Sequence, residues 1–180
     1  MKIQKLLLTS LGASLALLAC SCNSHTLSRT YFDPERKQLE RETDGYFETK
    51  PDGSCAYIND GIEKIWYPSG ALRRELHFSD GNLTGDQIAW WPNGIVMAKN
   101  HFNDDGLVDG DQYIYDISGK LLKHYRMDNG TGIEYDFHCN GQLKIESSWK
   151  DGKLDGETKK YDETGKLIST DTYSMGVKRQ

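Results

Sequence analysis

Large apolar side chains recur at fixed distances from a series of turn glycines: Gly70, Gly94, Gly119, Gly141 and Gly165. Successive glycines are 24, 25, 22 and 24 residues apart. We number each unit from its glycine, so that position −4 lies four residues before it. A period of this length, with turn residues at fixed offsets, indicates a repeat architecture of about five units.

Three apolar columns occupy even offsets in all five units. Position −4 holds Trp66, Trp90, Tyr115, Phe137 and Tyr161. Position +2 holds Leu72, Val96, Leu121, Leu143 and Leu167. Position +8 holds Phe78, Phe102, Met127, Trp149 and Tyr173. Position −6 shares this parity, whereas odd positions carry most of the charge, so the pattern predicts an antiparallel sheet with one dry and one wet face. Leu121 lies mid-array on the predicted dry face.

The turns support an all-β fold. Pro68-Ser69-Gly70 places proline and glycine where a turn needs them, and Asn129-Gly130 and Asp151-Gly152 are strong hairpin signals. We therefore predict an elongated antiparallel meander of β-hairpin repeats over residues 46–178, with an incomplete N-terminal cap around Gly53. Cys55 falls in the aliphatic column of this cap, where we expect a buried free cysteine.

The N-terminus has the features of an export signal. Lys2 and Lys5 precede an apolar run over residues 6–18, and Ala19-Cys20 follows. Leu17-Leu18-Ala19-Cys20 resembles the lipobox of bacterial lipoproteins, in which the cysteine is lipidated. We predict a lipoprotein signal peptide over 1–19, a flexible tether over 20–45 and anchoring in the cell envelope through Cys20. The alternative is an ordinary secreted protein cut near this point.

The charge limits the classes of partner. The net charge is −5, and removing residues 1–19 with Lys2 and Lys5 makes it −7. An acidic domain is a poor ligand for nucleic acids and for anionic lipid headgroups. Cys55 and Cys139 are about 3.5 units apart, roughly 30 Å of sheet against the ~7 Å that a disulfide allows, so we expect no bond between them.

Candidate chemistry is sparse. His77 and His101 share position +7 and would lie ~10 Å apart, too far to share one metal ion directly. The acidic turn over 103–111 lacks the ligand order of a calcium loop. Nucleophile and phosphate-binding signatures are missing. We therefore expect a protein that is not an enzyme and has no cofactor or metal site.

Two aromatic residues exceed the needs of the predicted core. Tyr67 and Trp91 lie at position −3, opposite in parity to the core column, where later units carry Asp116, His138 and Asp162. Adjacent exposed rings are typical of a binding site for a protein or, by stacking, for a glycan. Alternatively, the two rings pack over Pro68 and Pro92.

The repeat resembles a known family. Its Gly-x-x-x-x-Trp-Tyr/Trp-Pro-Ser/Asn-Gly pattern, and the Asp-Gly-x-Leu-x-Gly of residues 151–156, resemble the variant MORN repeat. The chain is also similar to bacterial proteins labelled YwqK-family antitoxins. The resemblance implies a hairpin meander that contacts proteins or membranes, and the antitoxin label implies a toxin partner. We expect a membrane-anchored protein-binding module, with an antitoxin for an envelope-acting toxin or an envelope glycan binder as alternatives.

Overall fold

The computed structural model describes residues 25–179, and every regular element in that range is a β-strand. In chain order the strands are β1 (Thr26–Tyr31), β2 (Leu39–Thr49), β3 (Cys55–Trp66), β4 (Leu72–Ser79), β5 (Asn82–Leu83), β6 (Gly85–Trp90), β7 (Val96–Phe102), β8 (Gly110–Tyr115), β9 (Leu121–Met127), β10 (Gly132–Phe137), β11 (Leu143–Lys150), β12 (Lys153–Tyr161), β13 (Leu167–Ser174) and β14 (Val177–Lys178). Within the described range, no helix is long and apolar enough to cross a membrane.

The strands form an antiparallel meander, which confirms the predicted all-β hairpin fold. The meander is divided into two sheets. Strands β1 to β9 form the first sheet, in which β5 pairs only with β4, and β10 to β14 form the second. No strand ladder joins β9 to β10. The sequence pattern, which continues through all five units, did not indicate this break.

The first turn has the same geometry in every unit. In the first unit, the N–H of Gly70 donates to the carbonyl of Tyr67, and the N–H of Tyr67 donates to the carbonyl of Ala71. Gly70 has φ +85°, a conformation that favours glycine. A β-bulge lies beside each of these turns, where the register shifts between positions −5 and −4, for example between Ile65 and Trp66. The bulge is what decides which side chains share a face.

The bulge places positions −4 and +2 opposite each other, as in the pair Trp66 and Leu72. The prediction that positions −4, +2 and +8 share one face was wrong. The next pair is Ile65 and Arg74, so the extra residue lies at position +3, after the turn, and reverses the parity between +2 and +4. Positions −5, −7, +4, +6 and +8 therefore share one face, which we call the inner face. Positions −4, −6 and +2 lie on the outer face, where Lys64 pairs with Glu75.

All the buried side chains described lie on the inner face. Met127 is 3% exposed, and the polar members of this set are Thr43, Glu63, Gln87, Gln112, Ser147 and Thr158. The dry face is thus less apolar and less covered than predicted. In particular, Leu121 is 46% exposed, so its predicted burial was wrong. Leu121 occupies position +2, which the bulge turns to the outer face, whereas Met127 on the same strand faces inward.

The N-terminal region corrects three expectations. The predicted tether is wrong from Thr26 onward, because β1 pairs with β2 and extends the sheet. Cys55 begins β3 and is exposed and disulfide-bonded, so it is not a buried free cysteine. Cys139 is an exposed free thiol, which confirms that the two do not pair. The predicted signal peptide and Cys20 lie outside the described residues.

The outer face is charged, as the odd positions predicted. Its histidines pair with acids across the hairpins. His101 Nδ1 lies 2.7 Å from Asp86 Oδ1, and His124 Nε2 lies 2.9 Å from Asp111 Oδ1. Within residues 25–179, no group of three or more His, Cys, Asp or Glu side chains is arranged to hold a metal ion.

Candidate binding site

Position −3 links successive units at the edge formed by the first turns, which we call the proline-turn edge. The Tyr67 hydroxyl donates to the carbonyl of Trp90 in the next unit at 2.9 Å. The indole N–H of Trp91 donates to the carbonyl of Tyr115 at 3.2 Å. These two side chains at −3 thus each span one repeat and hold the backbone of the next.

The series is interrupted at the third unit and then resumes. The Asp116 carboxylate cannot donate a hydrogen bond to a backbone carbonyl of the next unit. It instead accepts hydrogen bonds from the backbone N–H groups of Ser118 and Lys120 in its own turn. The hydrogen bond to the Ser118 hydroxyl is the main cause that lowers the pKa of Asp116. In the fourth unit, His138 Nε2 again reaches the carbonyl of Tyr161, at 2.9 Å. The missing link lies where the two sheets separate.

The opposite edge, formed by the second turns, remains continuous across the break. The N–H of Gly130 donates a hydrogen bond to the carbonyl of Val108 at 2.8 Å. The N–H of Gly152 donates one to the carbonyl of Gly130 at 3.1 Å. A Cβ on Gly130 would lie 2.6 Å from Gly152 N. We call this the glycine-turn edge. The array is therefore closed at one edge and open at the other.

Position −7 carries a different side chain at the opening. The side chain of Gln87 donates to the carbonyl of His77 in the preceding unit at 3.2 Å. Gln112 accepts from the N–H of His101, the corresponding residue of its preceding unit, at 3.2 Å. The fourth unit carries Glu134 at this position. An ionised carboxylate accepts but cannot donate, so Glu134 cannot reproduce the bonds that Gln87 makes.

The connection across the break is also short. We compare the distance along the chain from the +8 residue to the glycine in the first strand of the next unit. At the break this distance is only five positions, from Met127 to Gly132. The corresponding distances elsewhere are seven, eight and seven positions, for Phe78 to Gly85, Phe102 to Gly110 and Trp149 to Gly156. The shortened turn Gly130-Thr131-Gly132 was visible in the sequence, and it is the signal that marks the break.

Tyr135 occupies the space between the separated strands. By register it belongs to the outer face of β10, yet its ring meets residues of the inner face of β9. The centroids of Tyr135 and Tyr125 are 5.3 Å apart with the rings edge to face, and Lys123 Nζ lies 4.1 Å from the Tyr135 centroid. Strand β10 is therefore turned relative to β9, which explains why the ladder stops.

The break opens into a groove of about 500 Å³. Its walls carry the rings of Trp91, Tyr115, Tyr125, Tyr135 and Phe137. Burial raises the pKa of the Tyr125 hydroxyl. The charged residues that line the groove are Asp116, Glu134 and Asp136 against a single guanidinium, that of Arg74. The groove therefore combines aromatic surface with an excess of negative charge.

A smaller pocket of about 200 Å³ adjoins the groove at Glu134, which lines both. Its other side chains are Leu107, Val108, Met127 and Trp149. Loss of hydration raises the pKa of Glu134, and the nearby Asp136 acts in the same direction, whereas the Trp149 indole lowers it. That buried indole N–H makes no hydrogen bond of normal geometry within residues 25–179.

The two aromatic residues predicted to bind a partner occupy different surroundings. Trp91 is half-buried and lines the groove. Tyr67 is half-buried two units away from the break, and the guanidinium carbon of Arg73 lies 5.7 Å from its ring centroid. Both rings also make the hydrogen bonds between units described above. The residues that sequence reasoning missed are those of β9 and β10, above all Tyr125, Glu134 and Tyr135.

The comparison with known families agrees with this architecture. Residues 59–80 and 154–175 match the MORN repeat variant. These two segments are MORN-type repeats. The first spans the β3–β4 hairpin and the second the β12–β13 hairpin, and the units between them share their turns and bulges. MORN repeats are binding modules rather than an enzyme family. No curated protein matches the chain.

Proposed function

We propose that this chain is a lipid-anchored protein-binding module of the bacterial cell envelope, and that the groove between β9 and β10 receives the partner. The observation that carries the proposal is the interruption of the proline-turn edge at Asp116. There the array exposes aromatic side chains and two strand edges that have no ladder between them. Open strand edges and clustered rings are common features of protein-recognition surfaces.

Trp91 belongs to this surface as part of the groove wall. Tyr67 extends it along the same edge, and we propose that it contributes to binding by holding Trp90 and the adjoining turn in position. The anchor would be a lipid on Cys20, which keeps the module at a membrane while the repeats face outward. The lipobox-like sequence Leu17-Leu18-Ala19-Cys20 supports this part of the proposal.

Two variants of the function differ in the nature of the ligand. In the first, the chain is an immunity protein and the partner is a toxin that acts at or outside the membrane, as the similarity to antitoxin-type sequences favours. In the second, the rings of the groove stack on an envelope glycan. Rescue of cells from a co-expressed envelope-acting toxin tests the first. Retention on immobilised peptidoglycan tests the second.

The proposal is tested by crosslinking from the groove. Cys139 is free, exposed and on the groove wall, so a thiol-reactive photo-crosslinker can be attached to it. The matched control carries the same reagent on the outer face, in the double variant Cys139→Ser, Lys99→Cys. We expect a protein that is captured from position 139 and not from position 99. Capture of the same proteins from both positions would contradict a binding groove.

A further inference from the structure

Glu134 is a carboxylate without a cation. No Lys, Arg or His nitrogen of residues 25–179 lies within ion-pair distance of it, and the charged neighbour that raises its pKa, Asp136, is also acidic. Asp136, by contrast, is paired with Lys144 at 2.9 Å. Glu134 is exposed on β10, so its carboxylate is accessible to a ligand from solvent. The arrangement therefore leaves one negative charge unmatched, at the junction of the groove and the pocket.

The pocket beside Glu134 suits an alkyl chain. Leu107, Val108 and Met127 provide apolar walls, and Trp149 adds an aromatic one. The pocket holds about 200 Å³ and presents one carboxylate. A lysine side chain has the matching form, a flexible four-carbon stem that ends in a compact positive charge. The planar guanidinium of arginine, with five donors, would find too few acceptors here.

A ring in the same cleft already holds an ammonium group. Lys123 Nζ lies 4.1 Å from the centroid of Tyr135, a distance typical of a cation–π contact. The aromatic wall of the groove is thus compatible with cations, and the lining as a whole carries more negative than positive side chains. Charge complementarity therefore favours a basic occupant.

The backbone favours an extended occupant. At the other junctions between units, position +4 pairs with position −5 of the next unit, as in Arg74 with Ala89 and Ala98 with Ile114. The corresponding residues at the break, Lys123 and Asp136, are not paired in a ladder. The facing edges of β9 and β10 therefore resemble the exposed edges to which peptides add as strands.

We propose that the groove binds an extended segment of a partner protein whose lysine side chain enters the small pocket and pairs with Glu134. This inference rests on the proposed function, since it assigns the chemistry of the partner at the same groove. The apolar pocket recognises the stem, Glu134 recognises the charge, and the groove accommodates the flanking residues.

The test uses a seven-residue probe peptide, Thr-Val-Thr-Lys-Thr-Val-Thr with blocked termini, and the same peptide with its lysine acetylated. Binding to the anchored protein in detergent is followed by calorimetry. We expect acetylation to weaken binding about tenfold or more, because it removes a hydrogen-bonded charge pair. Glu134→Gln should weaken binding of the lysine peptide by a similar factor. The matched control Glu163→Gln, on an exposed turn, should not.

Thermal unfolding of Glu134→Gln distinguishes lost recognition from lost folding, since this variant is expected to remain folded. Equal binding of the two peptides, no binding of the lysine peptide at millimolar concentration, or undiminished binding to Glu134→Gln would overturn the inference. If crosslinking from Cys139 still captures a protein in those cases, only the lysine assignment fails. If that crosslinking fails too, the proposed function fails with it.

Discussion

The carboxamide of Gln112 accepts a hydrogen bond from the backbone N–H of His101 at 3.2 Å and donates one to the carbonyl of Asp109 at 2.7 Å. Gln112 is fully buried, so these bonds are shielded from water. They fasten β8 to the hairpin before it. The equivalent residue at the break is Glu134, and there the two sheets separate. A glutamine here is not required for pairing, because Thr158 holds this position at the β11–β12 junction, where its hydroxyl has no partner within residues 25–179 and the ladder still forms.

Glu134→Gln is expected to stabilise the protein at neutral pH, because the new amide can donate to the preceding hairpin and the repulsion from Asp136 is removed. We expect a gain of about 1 kcal/mol in the free energy of unfolding, the typical net value of a hydrogen bond. Urea denaturation measures the gain. A loss of stability would show that the carboxylate itself supports the fold.

The same variant should show a pH dependence of definite sign. Loss of hydration holds the pKa of Glu134 above its ordinary value, Asp136 adds to the effect, and Trp149 from β11 opposes it. At any pH between the ordinary pKa of the unfolded chain and the raised pKa of the folded protein, folding is coupled to the uptake of a proton by Glu134. The stability of the wild type therefore falls as pH rises through that window. The advantage of Glu134→Gln should therefore shrink as pH falls through that window and be smallest below about pH 4.3, the ordinary glutamate pKa. Denaturation at several pH values tests this, with Glu163→Gln as control.

Tyr67→Phe removes a hydrogen bond between units and keeps the ring. Because the Tyr67 hydroxyl donates to the carbonyl of Trp90, the change should destabilise the protein by about 1 kcal/mol. Tyr113→Phe is the control, since the Tyr113 ring stacks on His124 and its hydroxyl has no hydrogen-bond partner within the described range. Chemical denaturation of both variants gives the comparison. Equal losses of stability in Tyr67→Phe and Tyr113→Phe would show that the hydrogen bond from Tyr67 does not stabilise the array.

Met127→Ala and Leu121→Ala compare two residues of the apolar columns on the same strand. Met127 is 3% exposed and Leu121 is 46% exposed. We expect a loss of about 2–5 kcal/mol for Met127→Ala, as for buried large-to-small changes. Leu121→Ala should lose about 1 kcal/mol or less, because much of its side chain is already in water. Similar losses would mean that Leu121 is covered in solution by something else.

Gly130→Ala tests the continuous edge that holds the two sheets together. Gly130 and Gly53 have similar positive φ angles of 75° and 80°. Alanine at Gly53 meets open space, so only the backbone strain of about 1–2 kcal/mol applies. At Gly130 the new Cβ would lie 2.6 Å from Gly152 N, which should add about 1–3 kcal/mol. Equal melting temperatures would show that the edge is loose.

Cys20→Ala tests the anchor. If Cys20 is the lipidated residue, the variant should accumulate as an uncleaved precursor that incorporates no labelled fatty acid. Fractionation and fatty-acid labelling measure both properties, with Cys139→Ser as the matched control because that thiol lies in the repeat domain. Processing and labelling of Cys20→Ala like the wild type would rule out the lipobox interpretation.

The aromatic and aliphatic columns predicted the fold because they report the local geometry of each hairpin. Trp66 and Leu72 lie on either side of one turn, so their pairing depends only on residues between them. The face of position +8 relative to +2 could not be predicted in the same way. It depends on the extra residue at position +3 of each bulge, which even spacing in the sequence conceals.

The candidate site was only partly accessible from the sequence. Trp91 was recognised as an exposed ring near a turn, and it lines the groove. The contacts of Tyr135 with Tyr125 and Lys123 could not be foreseen, because they join opposite faces of neighbouring strands. Two sequence features did mark the position: the short turn Gly130-Thr131-Gly132, and Glu134 in place of glutamine.

The sequence by itself determined the hairpins, their order and their turns, since each is fixed by contacts within about 24 residues. Only the tertiary structure decided how one hairpin docks on the next. That docking combines short strand ladders, such as that between β4 and β6, with side-chain bonds from Tyr67, Trp91 and His138 at one edge. Between β9 and β10 the ladder is absent and the sheet opens. A regular repeat specifies its units strongly and their junctions weakly, because a junction can rest on as few as two residue pairs, as between β4 and β6.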